Sequence, residues 1–246
     1  MAEEVVVTTG IGYGSGGQVM DVYRPAGAPE PVGTVLLWHG RGPDERDVLA
    51  PIARATAALG VLVLVPDWRP DAPDGGRRHL AESAAFARRN TADLGGDPGR
   101  ITLAGWSLGG KAAVAVGLDP DGFDGWRPHA VVGVAGAYGT PAPSTGSAPL
   151  EVLGRDGGPV PPVPVWLVHG TADPVVDAER SRELHAALGA LGRPVSLTEV
   201  ATDHAGVVMT EYSPAHDRCL PGTADHALRA GARTARVLAE AAGRRS

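Results

Sequence analysis

Short runs dominated by Val, Leu, Ile and Ala alternate with longer stretches in which Leu, Val or Ile return every three or four places among Ala, Arg and Glu. The short runs suit strands buried in a sheet, and the longer spacing suits one face of a helix. Strands are expected at Glu4–Thr8, Gln18–Tyr23, Thr34–His39, Val61–Val65, Arg100–Ala104, Ala130–Ala135, Val163–His169 and Val195–Val200. Helices are expected at Glu45–Leu59, Arg77–Leu94, Leu108–Gly117, Ala178–Leu191 and Thr223–Ala242. Strand and helix alternate from the third strand onward, so the fold class is α/β: an eight-stranded, mostly parallel sheet with helices on both faces. The first two strands flank Gly10–Gly17 and read as a hairpin, hence an antiparallel edge. Residues 136–162 are rich in Pro, Gly and Ser and read as a surface loop with a short helix near Leu150.

Composition narrows this picture. With 246 residues, 43% of them hydrophobic and 20% charged, residues 1–246 suit one α/β domain with a sizeable core. The 35 glycines and 22 prolines fall between the apolar runs, as turn chemistry does. The formal charge is −6, Lys111 is the single lysine, and no basic stripe interleaved with aromatics occurs, which argues against a nucleic-acid partner. Cys219 stands alone, so no intrachain disulfide and no Cys-rich metal site is expected. The opening MAEEVVVTTG lacks a basic segment followed by an apolar one, and no run of about 18 apolar residues occurs. The expectation is a soluble cytoplasmic protein with no membrane partner.

Gly12, Gly14 and Gly17 satisfy the spacing G-x-G-x-x-G of dinucleotide sites. That motif works only when it follows a strand and opens a helix whose amino end meets the pyrophosphate. Here QVMDVYRP follows, with Val19, Asp21 and Tyr23 alternating as in a strand. The glycines therefore read as a hairpin turn, and no nucleotide cofactor is expected.

Residues 100–117, RITLAGWSLGGKAAVAVG, carry an apolar strand into Gly105-Trp106-Ser107-Leu108-Gly109 and then a helix-forming segment. G-x-S-x-G alone is a weak signal in a glycine-rich chain, but a strand before it and a helix after it are the conditions of a nucleophile elbow. A sharp strand-to-helix turn strains the serine backbone and holds its hydroxyl above the sheet. Glycine is required two places to either side, where a side chain would strike neighbouring elements. The competing role for Ser107, an N-cap on a core helix, needs no partners.

Partners are present. A serine hydroxyl needs a base within hydrogen-bond reach and a third group to orient that base. PVPVWLVHGTADPVV supplies a strand and then Asp173, just past its carboxyl end, where sites in open α/β sheets collect. PVSLTEVA supplies the next strand and then Thr202-Asp203-His204-Ala205-Gly206. The chain order nucleophile, acid, histidine is that of the elbow-bearing hydrolases. Ser107, His204 and Asp173 are thus the candidate nucleophile, base and acid. Asp177 reads as a helix-start acid, Asp203 as a loop residue, and His216 and His226 as rivals displaced toward the C-terminal region.

The strand GTVLLWH ends in His39-Gly40-Arg41-Gly42, placed as an H-G-G-G type loop would be, with Arg41 in place of a glycine. Main-chain N–H groups of Leu108 and of Arg41 or Gly42 are the candidate oxyanion donors, and His39 reads as a loop stabiliser. A metal held by His39, His169, His204 and Asp173 is the weaker reading, because no H-E-x-x-H or other close histidine spacing occurs. No metal is expected.

DVYRP, WHGRG, VPDWRP, GGDPGRITLAGWSLGG, HGTADPVV and DHAG follow one another in an order that resembles hormone-sensitive-lipase-like and feruloyl-esterase-like carboxylesterases of the α/β-hydrolase superfamily. The chain is also similar to dienelactone hydrolase and to peptidase relatives, although Ser107 departs from the cysteine nucleophile of the former. The resemblance covers nearly the whole chain. It implies a cofactor-free ester hydrolysis through an acyl-enzyme. Some such proteins carry a large cap, but here the core elements use up nearly all the residues, so no large cap domain is expected and the site should be covered only by loops near 136–162 and 205–222. Trp38, Trp68, Trp106 and Tyr138 lie at or near strand ends as candidate pocket walls, with packing beneath the site as the competing role for each. A small-molecule ester is the expected substrate. Amide or peptide hydrolysis and acyl transfer would use the same three residues, and a non-catalytic binding module on the same fold is the reading from another class.

Overall fold

The computed structural model describes residues 4–27, 31–153 and 161–243. Eight strands form one sheet in the order β1-β2-β4-β3-β5-β6-β7-β8. They are β1 (Val5–Gly12), β2 (Val19–Pro25), β3 (Val32–Trp38), β4 (Leu62–Pro66), β5 (Gly96–Trp106), β6 (Ala130–Val134), β7 (Val165–Gly170) and β8 (Val195–Val200). β1 pairs antiparallel with β2, and β2 antiparallel with β4. From β4 to β8 the pairing is parallel throughout. The segment bearing Gly12, Gly14 and Gly17 is the hairpin connection between β1 and β2, closed by the Tyr13 amide donating to the Gln18 carbonyl at 3.1 Å.

The period of two in each strand sorts side chains into two cores. Val35 and Leu37 of β3, Val63 and Val65 of β4, and Val132 and Val134 of β6 face one side. There they meet Ile52 and Ala53 of α1 (Ala50–Ala57) and Val237 and Leu238 of α6 (Asp225–Ala241). Leu36, Leu62, Leu64, Leu103 and Val131 face the other side. They meet Leu80 and Ala84 of α2 (Arg77–Asn90), Ala112 and Val116 of α3 (Leu108–Leu118), and Leu184 and Leu188 of α5 (Glu179–Ala190). A one-residue slip would exchange the two sets, so the apolar alternation itself fixes the register. Covering both faces explains why these strands read as continuous apolar runs.

Strand order positions the site. After β3 the chain crosses to β4 on one side, and after β5 it crosses to β6 on the other. The loops leaving β3 and β5 therefore diverge, opening the crevice that α/β sheets use for ligands.

Several boundaries differ from the expected ones. The first helical segment begins as a 3-10 turn at Arg46–Leu49 and becomes α-helical only from Ala50. The last helix starts at Asp225 because the Glu211 carboxylate captures the Thr223 and Ala224 amides at 2.7 and 3.4 Å, holding them outside the helix. The loop expected near 205–222 contains a two-stranded ribbon, β9 (Thr210–Ser213) and β10 (Arg218–Pro221), whose strands are too short to show an apolar period. The loop expected at 136–162 carries α4 (Pro149–Val152) next to Leu150 as anticipated, while residues 154–160 lie outside the described residues. Among the described residues no helix is long and apolar enough to cross a membrane.

Candidate active site

Ser107 sits between β5 and α3 with φ 56° and ψ −118°, a backbone conformation that L-residues rarely adopt. Packing enforces it. A Cβ on Gly105 would lie 2.2 Å from the Gly109 carbonyl group, and one on Gly109 would lie 2.3 Å from the His39 carbonyl oxygen. These obstacles are backbone atoms that no rotamer change can clear. Glycine at both places therefore lets α3 approach β5 and β3 closely enough to turn the chain at once. The Ser107 amide donates to the Val134 carbonyl at 2.8 Å, tying the turn to β6.

His204 and Asp173 come to this serine from the loops after β8 and β7. His204 Nε2 lies 3.0 Å from Ser107 Oγ, and His204 Nδ1 lies 2.7 Å from Asp173 Oδ2. With the carboxylate oxygen accepting a hydrogen bond from Nδ1–H, Nε2 is left free to accept from the hydroxyl. The His204 loop is held on two sides. The Asp203 carboxylate accepts from the Ala205 and Gly206 amides at 3.1 and 2.7 Å, a capped turn that matches its expected role as a loop residue. The Trp106 indole donates to the His204 carbonyl at 2.9 Å, and the two rings lie 5.2 Å apart. His226 and His216, the rival histidines, pair instead with Thr202 Oγ1 and Ser213 Oγ, both at 2.9 Å.

The Asp173 side chain has no exposed surface. Burial alone would raise its pKa, but donors from His169, His204 and the Val176 amide reverse this and hold the carboxyl well below the usual carboxylate range. Its other oxygen, Oδ1, accepts from the Val175 and Val176 amides at 2.8 and 2.9 Å. The contact from His169, Nε2 to Asp173 Oδ2 at 3.3 Å, is one the sequence reading missed. The available signal was the His-x-x-x-Asp spacing across a tight strand-end turn.

The loop after β3 is organised by His39, whose ring is fully buried. Its Nε2 accepts from the Glu45 and Trp68 amides at 3.2 and 3.1 Å, so Nδ1 carries the proton and donates to the Gly40 carbonyl at 3.1 Å. Burial, aided by nearby Arg46, pushes its pKa down to about 3 against the opposing Gly40 bond. Gly40 passes so close to the elbow that a Cβ there would lie 3.5 Å from Ser107 Cβ. The structure separates the two candidate donors of this loop. A Cβ on Gly42 would lie about 2 Å from the Glu45 carboxylate, to which the Gly42 amide donates. Among the described residues the Arg41 amide meets no such acceptor. Leu108, first residue of α3, has an amide without an intrahelical partner.

Three of the four candidate pocket walls lie in the core, with side chains turned beneath the sheet. Trp38 donates to Ser83 Oγ at 3.0 Å and packs edge-on against Phe123. Trp68 donates to the His39 carbonyl at 3.2 Å, and Tyr138 packs against Gly133 and Gly136. All three are 0% exposed, whereas Trp106, at 6%, borders His204. Position at a strand end does not say to which side of the sheet a side chain turns.

Fold and constellation together define an α/β-hydrolase architecture with a serine–histidine–aspartate hydrogen-bond row at the carboxyl ends of its strands. Several of the known proteins it is similar to are esterases. Over 219 residues the chain is 28% identical to Esterase LipC of Mycobacterium tuberculosis, covering 72% of this chain and 53% of that protein. It thus spans about half the length of the curated relative it matches. Three solved structures share the fold. An esterase of Pyrobaculum calidifontis matches at TM-score 0.68 and 20% identity, covering 96% of this chain and 85% of the other. Esterase 2 of Thermogutta terrifontis phosphorylated by paraoxon matches at 0.69 and 18%, covering 97% and 94%. A bacterial heroin esterase matches at 0.67 and 20%, covering 100% and 86%. No protein-family model matches the chain.

Proposed function

We propose that this chain is a single-domain, cytoplasmic serine esterase that needs no cofactor and cleaves a small or medium carboxylic ester through an acyl-enzyme. The observation that carries the reading is the row in which His204 Nε2 meets Ser107 Oγ at 3.0 Å while Nδ1 meets Asp173 at 2.7 Å. Ser107 Oγ attacks the ester carbonyl carbon as its proton passes to His204 Nε2, and Asp173 stabilises the imidazolium. The carbonyl oxygen, now anionic, takes the N–H groups of Leu108 and Arg41, each worth about 3–4 kcal/mol in such a site. As the intermediate collapses, the alkoxide leaves with the proton held by His204. Water then repeats the sequence on the acyl-enzyme, releasing the acid and restoring the serine. The esterase names among the relatives and neighbours support ester over amide chemistry, and the paraoxon adduct of one neighbour supports an organophosphate-sensitive nucleophile.

A fluorophosphonate probe and matched p-nitrophenyl ester and p-nitroanilide substrates test this. The parent should be labelled at Ser107 and prefer the ester, and Ser107→Ala should lose labelling and several orders of magnitude of turnover while staying folded. Near-parental activity of that variant overturns the mechanism, and a strong preference for the anilide overturns the substrate class.

A further inference from the structure

Behind the acid of the row lies a second buried imidazole that the mechanism above does not use. His169, the next-to-last residue of β7, has no exposed surface, and its neighbours determine where its proton sits. Nε2 lies 2.9 Å from the Val176 carbonyl, a group that only accepts, so Nε2 carries a hydrogen. The same Nε2–H reaches Asp173 Oδ2 at 3.3 Å. Nδ1 is then a lone pair that accepts from the Ser181 hydroxyl of α5 at 2.7 Å. The row therefore joins Ser181, His169, Asp173, His204 and Ser107, with the donors of each half directed inward to the Asp173 carboxylate, which accepts from both imidazoles.

We propose that His169, with its tautomer selected by Ser181, is a positioning residue that tunes the base by sharing Asp173 Oδ2 with His204. Asp173 Oδ1 is already filled by two backbone amides, so the two imidazoles compete for a single oxygen. Each donor to that oxygen draws on charge that would otherwise stabilise the His204 imidazolium. His169 thereby does two things at once. It fixes the carboxylate plane toward His204, and it takes up part of the Oδ2 charge that His204 would otherwise have to itself. Titratable groups in or beside this row include Asp173, His169, His204, the Asp203 carboxylate that caps the His204 turn, and the Tyr138 hydroxyl beside Ser181, which burial keeps protonated.

This proposal rests on the esterase reading only for its kinetic consequence, so the test has an arm that needs no substrate. His169→Phe removes the donor at similar volume, and His169→Gln restores an N–H near the former Nε2. In the unliganded protein, the His204 imidazole titration followed by NMR should move upward by about half a pH unit in His169→Phe and return toward the parent in His169→Gln. With ester substrate, kcat should fall about tenfold in His169→Phe at unchanged KM, with partial recovery in His169→Gln. Should His169→Phe fail to fold, Ser181→Ala, which frees the tautomer, should show a smaller shift of the same sign. Parental titration in a folded His169→Phe, or in Ser181→Ala where the former does not fold, overturns the proposal, as does an equal defect in the Phe and Gln variants. Absence of ester turnover in the parent counts against the esterase reading, and the NMR arm still decides the role of His169.

Discussion

His39 is the residue on which the loop after β3 hangs, and it holds that loop only as a neutral ring. Nε2 can accept the Glu45 and Trp68 amides only while it has a lone pair. Its pKa lies near 3 in the folded chain, against about 6.5 when unfolded. The sign of the linkage follows. Above about pH 6.5 both states leave the ring neutral and its contribution is complete. Below that the unfolded chain binds the extra proton, so stability falls by up to about 1.4 kcal/mol per pH unit until the folded ring itself protonates near pH 3. His39→Gln, which cannot take up the proton, should flatten this acid limb; thermal midpoints recorded between pH 4 and 7 would show it, and parallel slopes in the two proteins would refute it. The same residue illustrates what composition and spacing leave hidden. The sequence marks His39 as a loop stabiliser, yet only the folded chain shows that Glu45 takes the Gly42 amide and leaves Arg41 the better-placed donor.

The unit joining β5 to α3 was legible because its requirements are local: apolar strand, glycine, serine, glycine, helix. Asp173 and His204 were legible because chain order and strand ends suffice to place them. What stayed hidden depends on contacts between distant segments. The ribbon of β9 and β10 has four residues per strand and no apolar period to announce it. The side to which Trp38 turns follows from the register of β3 against β5, which is set by pairing with other strands. Close approach of α3 to the strands makes a further expectation firm. Gly109→Ala would drive a methyl group against the Trp38 and His39 carbonyls at 2.3–2.4 Å. Relief requires backbone movement at both the elbow and the loop after β3, so the cost should reach the upper end of the roughly 1–3 kcal/mol typical of overpacking. Denaturant unfolding should show it, along with loss of probe labelling at Ser107. Parental stability in Gly109→Ala would mean that the two elements are not tightly apposed.

Viewed as one body, the protein gathers its chemistry on a single rim. The segments at and just beyond the carboxyl ends of β3, β5, β7 and β8 supply the proposed nucleophile, base, acid and oxyanion donors, while the hairpin of β1 and β2 supplies none. The fold class, the eight sheet strands and the hairpin edge were readable from alternating apolar runs because a doubly covered sheet imposes them on every strand. The reactivity proposed for Ser107 and the durability of the fold, however, are set against each other at one spot. The left-handed twist at Ser107 holds a side chain where a hydrogen atom would rest more comfortably, a penalty of about 1–3 kcal/mol carried by the entire cooperative unit. Ser107→Gly should therefore be inert toward the probe and melt several degrees higher than its parent, by about 2–4 °C per kcal/mol in a chain of this size.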